Sequence, residues 1–114
     1  MTNTITLACK IIPIEQIIRC SFGLGKSDYI ILQFLLKEKE EKSIQDIQKI
    51  IKKDRTTIQK SINHLLNLEL IKRRQMNIET GGYLYYYKIK DKKSIKNTIC
   101  ANLENLKQKI LKEL

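Results

Sequence analysis

Metal-binding and disulfide-forming residues are scarce in this chain. Its 114 residues include one histidine, His64, and three scattered cysteines, Cys9, Cys20 and Cys100, with no C-x-x-C pair. A structural zinc site takes four closely spaced Cys or His ligands, so the pattern argues against zinc, and an odd, dispersed set argues against a disulfide framework. The thiols read as reduced structural groups, with a redox-sensing role at Cys20 or Cys9 as the alternative. No stretch approaches the roughly 20 apolar residues of a membrane-spanning helix. Residues 1–8 lack both a basic start and a long apolar run before a cleavage site. The expectation is a soluble, cytoplasmic chain without a membrane partner. The carboxylates are dispersed or sit where helix caps belong, so no acid–base pair stands out. No catalytic residue, metal or cofactor is expected, and the chain reads as a non-enzyme.

The length suits one hydrophobic core, and 42% apolar with 30% charged residues can build and solvate it. Acidic residues are in short supply: 22 Lys and Arg stand against 12 Asp and Glu, a net charge of +10. Such an excess suits a polyanion, either nucleic acid or an acidic membrane surface. The imbalance is local. Residues 1–48 carry six charges of each sign, whereas residues 49–74 carry eight basic side chains against Asp54 and Glu69 alone. A Lys-rich composition with no binding role is the bland alternative, but a merely solvated surface more often mixes the signs.

Residues 1–13 are ambiguous, either a frayed end or a short packing segment closed by Pro13. Ile14 to Cys20 predicts a short helix with Ile14, Ile17 and Ile18 on one face, and Phe22 to Lys26 reads as a turn. Ser27 is a favourable N-cap for a buried helix running to about Lys37, with Asp28 in its first turn. Lys37 to Lys42 is a solvated connection. Ser43 and Asp46 have capping-box spacing and open a helix striped by Ile44, Ile47, Ile50 and Ile51. Asp54 then caps a further helix, Arg55 to about Leu68, after a very short turn: a helix-turn-helix candidate. Leu70–Ile78 and Tyr83–Ile89 are rich in Ile, Tyr and Leu, the second alternates with the period of a strand, and Glu79–Gly82 between them is a turn, which predicts a β-hairpin. From Asp91 to Leu114 the pattern returns to helix, with Ile95, Ile99, Leu103, Leu106, Ile110 and Leu114 in one seam. The fold class is mainly α with a small β-hairpin, a helix-turn-helix followed by the hairpin and an extra C-terminal helix. Its segments are 1–13, the helix-turn-helix and hairpin over 14–90 and the C-terminal helix over 91–114.

At about 100° per residue, Ile58, Ile62, Leu65 and Leu66 form the core stripe of the helix that Asp54 opens. Opposite them lie Thr56, Lys60, Asn63 and Asn67, flanked by Thr57, Gln59 and His64. These side chains can address base edges in a major groove: Gln or Asn adenine, Lys guanine, and a Thr methyl thymine. Carboxylates are absent from this face, as an approach to phosphates requires. His64 lacks a neighbouring Cys or second His, so a groove-facing or solvated residue is favoured over a ligand or base. Arg55 reads as a phosphate or first-base contact. Lys72, Arg73 and Arg74 before the hairpin strands turn, and Lys88 and Lys90 after, give it the profile of a basic wing on the backbone or in the minor groove, with Lys52 and Lys53 adding backbone contacts. The tyrosines over 83–87 read as strand packing, with single-strand base stacking as the alternative. Gly23-Leu24-Gly25-Lys26-Ser27 superficially suggests a phosphate-binding loop, but the glycine required five positions before Gly25 is Cys20.

Three stretches carry a family resemblance: Phe22-Gly23-Leu24-Gly25-Lys26-Ser27-Asp28-Tyr29, Lys53-Asp54-Arg55-Thr56-Thr57-Ile58-Gln59 and Leu65-Leu66-Asn67-Leu68-Glu69-Leu70-Ile71. They resemble the DNA-binding domain of the archaeal TrmB-type winged helix-turn-helix regulators and, more distantly, MarR-type regulators, over roughly residues 14–90. The resemblance implies a winged helix, a recognition helix opening at Arg55, and transcriptional regulation as a homodimer on double-stranded DNA. The chain ends before the sugar-binding effector domain of longer TrmB proteins, so sugar sensing is not carried over, and any effector is open. The C-terminal seam must bury itself on its own domain or on a partner chain, and a partner is favoured. Two rivals remain: a winged-helix protein-interaction module and a nonspecific chromatin-type DNA binder.

Overall fold

The computed structural model describes residues 4–114, which fall into two units. Gly25–Lys92 form the winged unit, and the N-terminal residues through Leu24 join Lys93–Leu114 in a terminal unit. The terminal unit begins with a small antiparallel hairpin, β1 (Thr4–Thr6) and β2 (Ile11–Pro13), with Ile5 opposite Ile12. Helix α1 (Ile14–Phe22) follows at once, because the fixed φ of Pro13, −63°, suits the residue before a helix. It stops at Gly23, whose φ of 68° favours glycine, while the Leu24 N–H donates back to the Arg19 carbonyl at 2.8 Å. The unit's last element is α5 (Lys92–Glu113).

In the winged unit, α2 (Lys26–Lys37) contributes Ile31, Leu32 and Leu35 to the core, and α3 (Ile44–Ile50) contributes Ile47. The capping box at α3 is formed in both directions: Ser43 Oγ accepts from the Asp46 N–H at 3.2 Å, and Asp46 Oδ2 accepts from the Ser43 N–H at 3.1 Å. Ile51–Asp54 is a tight connection, and Asp54 accepts from the Thr57 N–H at 3.3 Å to open α4 (Arg55–Asn67). Helix α4 lays Ile58, Ile62 and Leu65 onto α2 and α3, all three fully shielded from solvent. Burying a side chain of this size contributes roughly 1.5–3 kcal/mol.

Beyond α4, Glu69 takes φ 59° and lets the Leu70 N–H reach the Leu65 carbonyl at 3.1 Å. Strands β3 (Ile71–Asn77) and β4 (Tyr83–Ile89) then pair antiparallel, from Ile71 opposite Ile89 to Asn77 opposite Tyr83. Gly81 and Gly82, at φ 96° and 95°, make their turn. The hairpin's root gains a third partner: Lys42 and Tyr87 exchange backbone hydrogen bonds at 2.9 and 2.8 Å.

The fold class read from the sequence is the one observed. Several local details differ. Residues 4–13 form a hairpin rather than a frayed end, and residues 1–3 lie outside the described residues. Helix α1 runs on to Phe22, so the turn begins at Gly23. The N-cap of α2 is Gly25, not Ser27: the Asp28 carboxylate reaches back to the Gly25 N–H at 2.9 Å, which moves the helix start two residues upstream. Leu66 is only half-buried, and Ser61, which hydrogen-bonds the Asp28 carboxylate of α2, is buried instead. The three cysteines are free and exposed, so they are not packing residues.

Candidate nucleic-acid interface

Helix α4 is held in orientation by a polar node at the start of α2. The Asp28 carboxylate accepts from the Gly25 N–H, from the buried Ser61 hydroxyl and, at 2.8 Å, meets His64 Nδ1. Burial works to raise this carboxyl, but the hydrogen bonds from Ser61, Gly25 and His64 outweigh it and hold it below the usual value. His64 therefore belongs to the flank of α4 that meets α2. At the helix start, Asp54 is bonded by both the Thr57 N–H and the Thr57 hydroxyl, and these bonds outweigh desolvation and lower its pKa.

The outward side of α4 carries Arg55, Thr56, Lys60, Asn63 and Asn67, all exposed, with Thr57 and Gln59 half-buried beside them. Residues 55–68 contain no Asp or Glu. Gln59 donates to Asn63 Oδ1 at 3.0 Å, one turn along. Tyr87 lies on the other side of Gln59 and shares a hydrogen bond with it; burial raises the Tyr87 phenol's pKa, against the pull of the Arg73 charge and the Gln59 bond. Polar side chains thus run without a break from the base of β4 onto α4.

The basic residues of the hairpin divide between its two faces. Directly opposed residues share a face, so Lys72 with Lys88 and Arg74 with Tyr86 lie on one side. Arg73 with Tyr87 and Gln75 with Tyr85 lie on the other, which also carries the buried Ile71 and Ile89. Arg74 Nε is held by Glu41 at 2.8 and 2.9 Å and lies over the Tyr86 ring at 5.4 Å. Arg73 stacks on Tyr85 at 4.4 Å and borders, with Asn63, Leu66 and Asn67, a recess beside α4. Among the described residues, no carboxylate is in ion-pair contact with Arg73. A second recess of about 380 Å³ lies between the starts of α3 and α4 and the hairpin, lined by Ile44, Gln48, Arg55, Gln59, Tyr83 and Tyr85. Lys52 is exposed and Lys53 half-buried in the α3–α4 turn, and Lys88 is half-buried on β4.

Sequence reasoning missed Glu41, Tyr85 and Tyr86 as supports of the arginines, and Ser61 and Asp28 as supports of α4. Period-two alternation carried a signal for the tyrosines. Nothing local pointed from Glu41 to Arg74, 33 residues away. Among the described residues no cluster of His, Cys, Asp and Glu could hold a metal ion, and no helix is long and apolar enough to cross a membrane.

Residues 18–93 match the family model "Sugar-specific transcriptional regulator TrmB". An uncharacterized protein of Methanocaldococcus jannaschii is 36% identical over 104 residues, spanning 88% of this chain and 78% of that protein. The structure of a possible transcriptional regulator from Methanosarcina mazei superposes with a TM-score of 0.84 at 31% identity, covering 99% of this chain and 95% of the other. Staphylococcus aureus MarR, solved with salicylate and kanamycin, shares the fold at a TM-score of 0.56 and 13% identity, over 89% of this chain and 66% of its own.

Proposed function

The chain belongs to the TrmB family of transcriptional regulators, and on that footing we propose that it is a homodimeric, sequence-specific duplex-DNA-binding regulator that works by binding rather than catalysis. Helix α4 would enter the major groove, with Thr56, Thr57, Gln59, Lys60, Asn63 and Asn67 toward base edges and Arg55 at the entry. Lys52, Lys53 and the hairpin's Lys72 and Lys88 would approach phosphates. The observation that carries the reading is the division of α4: Ile58, Ile62 and Leu65 are fully closed off, while the opposite side is exposed, polar and free of carboxylates. The protein would act in the cytoplasm, where its DNA is.

Dimerisation rests on α5. Every residue from Ala101 onward is exposed, including Leu103, Leu106, Ile110 and Leu114 of the seam, whereas Ile95 is already buried and Ile99 half-buried. Leu103 and Leu106 also line an open recess with Ile12 and Ile17 of the same unit, which widens the apolar surface offered to a second copy. Two copies would place two recognition helices about one DNA turn apart.

Selection of bound duplexes from a random pool, followed by fluorescence anisotropy, tests the reading. A regulator should prefer its selected site by about 10³-fold or more. With about six phosphates contacted, log affinity should fall against log salt with a slope near −5. Asn63→Ala or Lys60→Ala should erode the preference, and Lys72→Ala should weaken all duplexes alike. Equal affinity for every duplex would instead indicate a chromatin-type binder, and weak binding to all of them a protein-interaction module.

A further inference from the structure

Resting on that reading, we propose that Arg73 is a specificity-determining residue that reads a guanine edge together with Asn63 and Asn67, and that Tyr85 is its positioning residue. Consecutive basic residues on a strand invite one shared role, namely charge for the phosphates. Strand geometry separates them here. Arg74 points to the face of Lys72 and Lys88, and Glu41 neutralises it. Arg73 alone of the three points to the face that continues onto α4, where it shares a recess with Asn63, Leu66 and Asn67.

Two features fit Arg73 for base reading rather than for charge. Its guanidinium lies over the Tyr85 ring, 4.4 Å from the centroid, a contact that restrains the side chain before DNA arrives so that less freedom is lost on binding. It also shares its recess with two amide side chains, Asn63 and Asn67, and Asn63 already accepts a hydrogen bond from Gln59. A planar donor fork next to amides is the combination that reads guanine O6 and N7 beside adenine N6 and N7.

The test is a charge-preserving exchange. Arg73→Lys keeps the positive charge but loses the flat fork and the stacking. On the duplex selected by the full-length protein it should lower affinity about tenfold or more, while affinity for a random duplex and the salt slope stay at wild-type values. Tyr85→Leu should show the same selective loss at smaller size, and Tyr85→Phe, which keeps the ring, should restore wild-type preference. Arg74→Lys should change neither duplex selectively. Arg73 and Arg74 are exposed and Tyr85 is half-buried outside the fully buried core, so these exchanges leave that core intact, which a thermal melt verifies. If Arg73→Lys binds both duplexes like the wild type, or weakens both equally, Arg73 serves the backbone and the proposal is overturned. A wild-type protein with no preference among duplexes would overturn the regulator reading as well, so the two failures are distinguishable.

Discussion

In the winged unit seven aliphatic side chains, Ile31, Leu32, Leu35, Ile47, Ile58, Ile62 and Leu65, are exposed by no more than 1%. In α5 of the terminal unit, Leu103, Leu106, Ile110 and Leu111 stand 43–63% exposed, and α1 buries none of its residues. Both units are built from helices with aliphatic residues at helical spacing, so periodicity alone does not separate them. What differs is closure. Helices α2 and α3 both pack on α4 and the hairpin root seals the group, whereas the terminal unit leaves a long seam uncovered. One unit completes its own core, and the other leaves apolar surface uncovered.

The sharpest way to break this comparison is to remove the same kind of side chain from each unit. Ile62→Ala should cost about 2–5 kcal/mol in urea unfolding at any protein concentration, because it leaves a cavity in a closed core. Leu106→Lys should leave the winged unit folded but turn a dimer into a monomer by light scattering, with a Tm that no longer rises with protein concentration. A dimer that survives this charge would place the seam elsewhere.

Acid should discriminate the units next. The Asp28 and Asp46 carboxyls of the winged unit both sit below their ordinary value of 3.8 in the folded chain. The unfolded chain therefore takes up protons first as pH falls, so this stability is complete above the ordinary value and is lost as pH drops through the folded-state pKa. Asp28→Asn should cost about 1–2 kcal/mol near neutral pH, by weakening the node beneath α4. It should also flatten the acid limb of urea melts taken from pH 6 to pH 3. An unchanged limb would remove Asp28 from the account. The smallest effect is a gain. Glu69 occupies the left-handed region without being glycine, so Glu69→Gly should stabilise the unit by about 1 kcal/mol. The accompanying rise in Tm would be several degrees.

Features specified within a few residues were legible in the sequence: the Ser43–Asp46 box, the Asp54 cap, the glycine turn of the hairpin and the polar face of α4. The N-terminal hairpin was not, because strands of three residues are too short to show alternation. The supports of the candidate site were not legible either, since Asp28 meets His64 across 36 residues and Glu41 meets Arg74 across 33. Between these extremes lies the hairpin's run of basic residues. Its period-two pattern already separates Arg73 from its neighbours, but pooling the charges conceals that. Leu66 sits at the margin of the helical stripe, where a small rotation of α4 decides between core and surface.

The reciprocal bonds between Lys42 and Tyr87 give the hairpin the mechanics of a cantilever. The root is clamped to the chain ahead of α3, while beyond it the two strands pair with each other out to the Gly81–Gly82 tip. Deflection should concentrate toward the free end. The amides of Lys42 and Tyr87 should then be among the slowest of the hairpin to exchange with deuterium, and Tyr85, close to the clamp, would hold its ring steady while the tip adjusts to the curvature of the surface it meets.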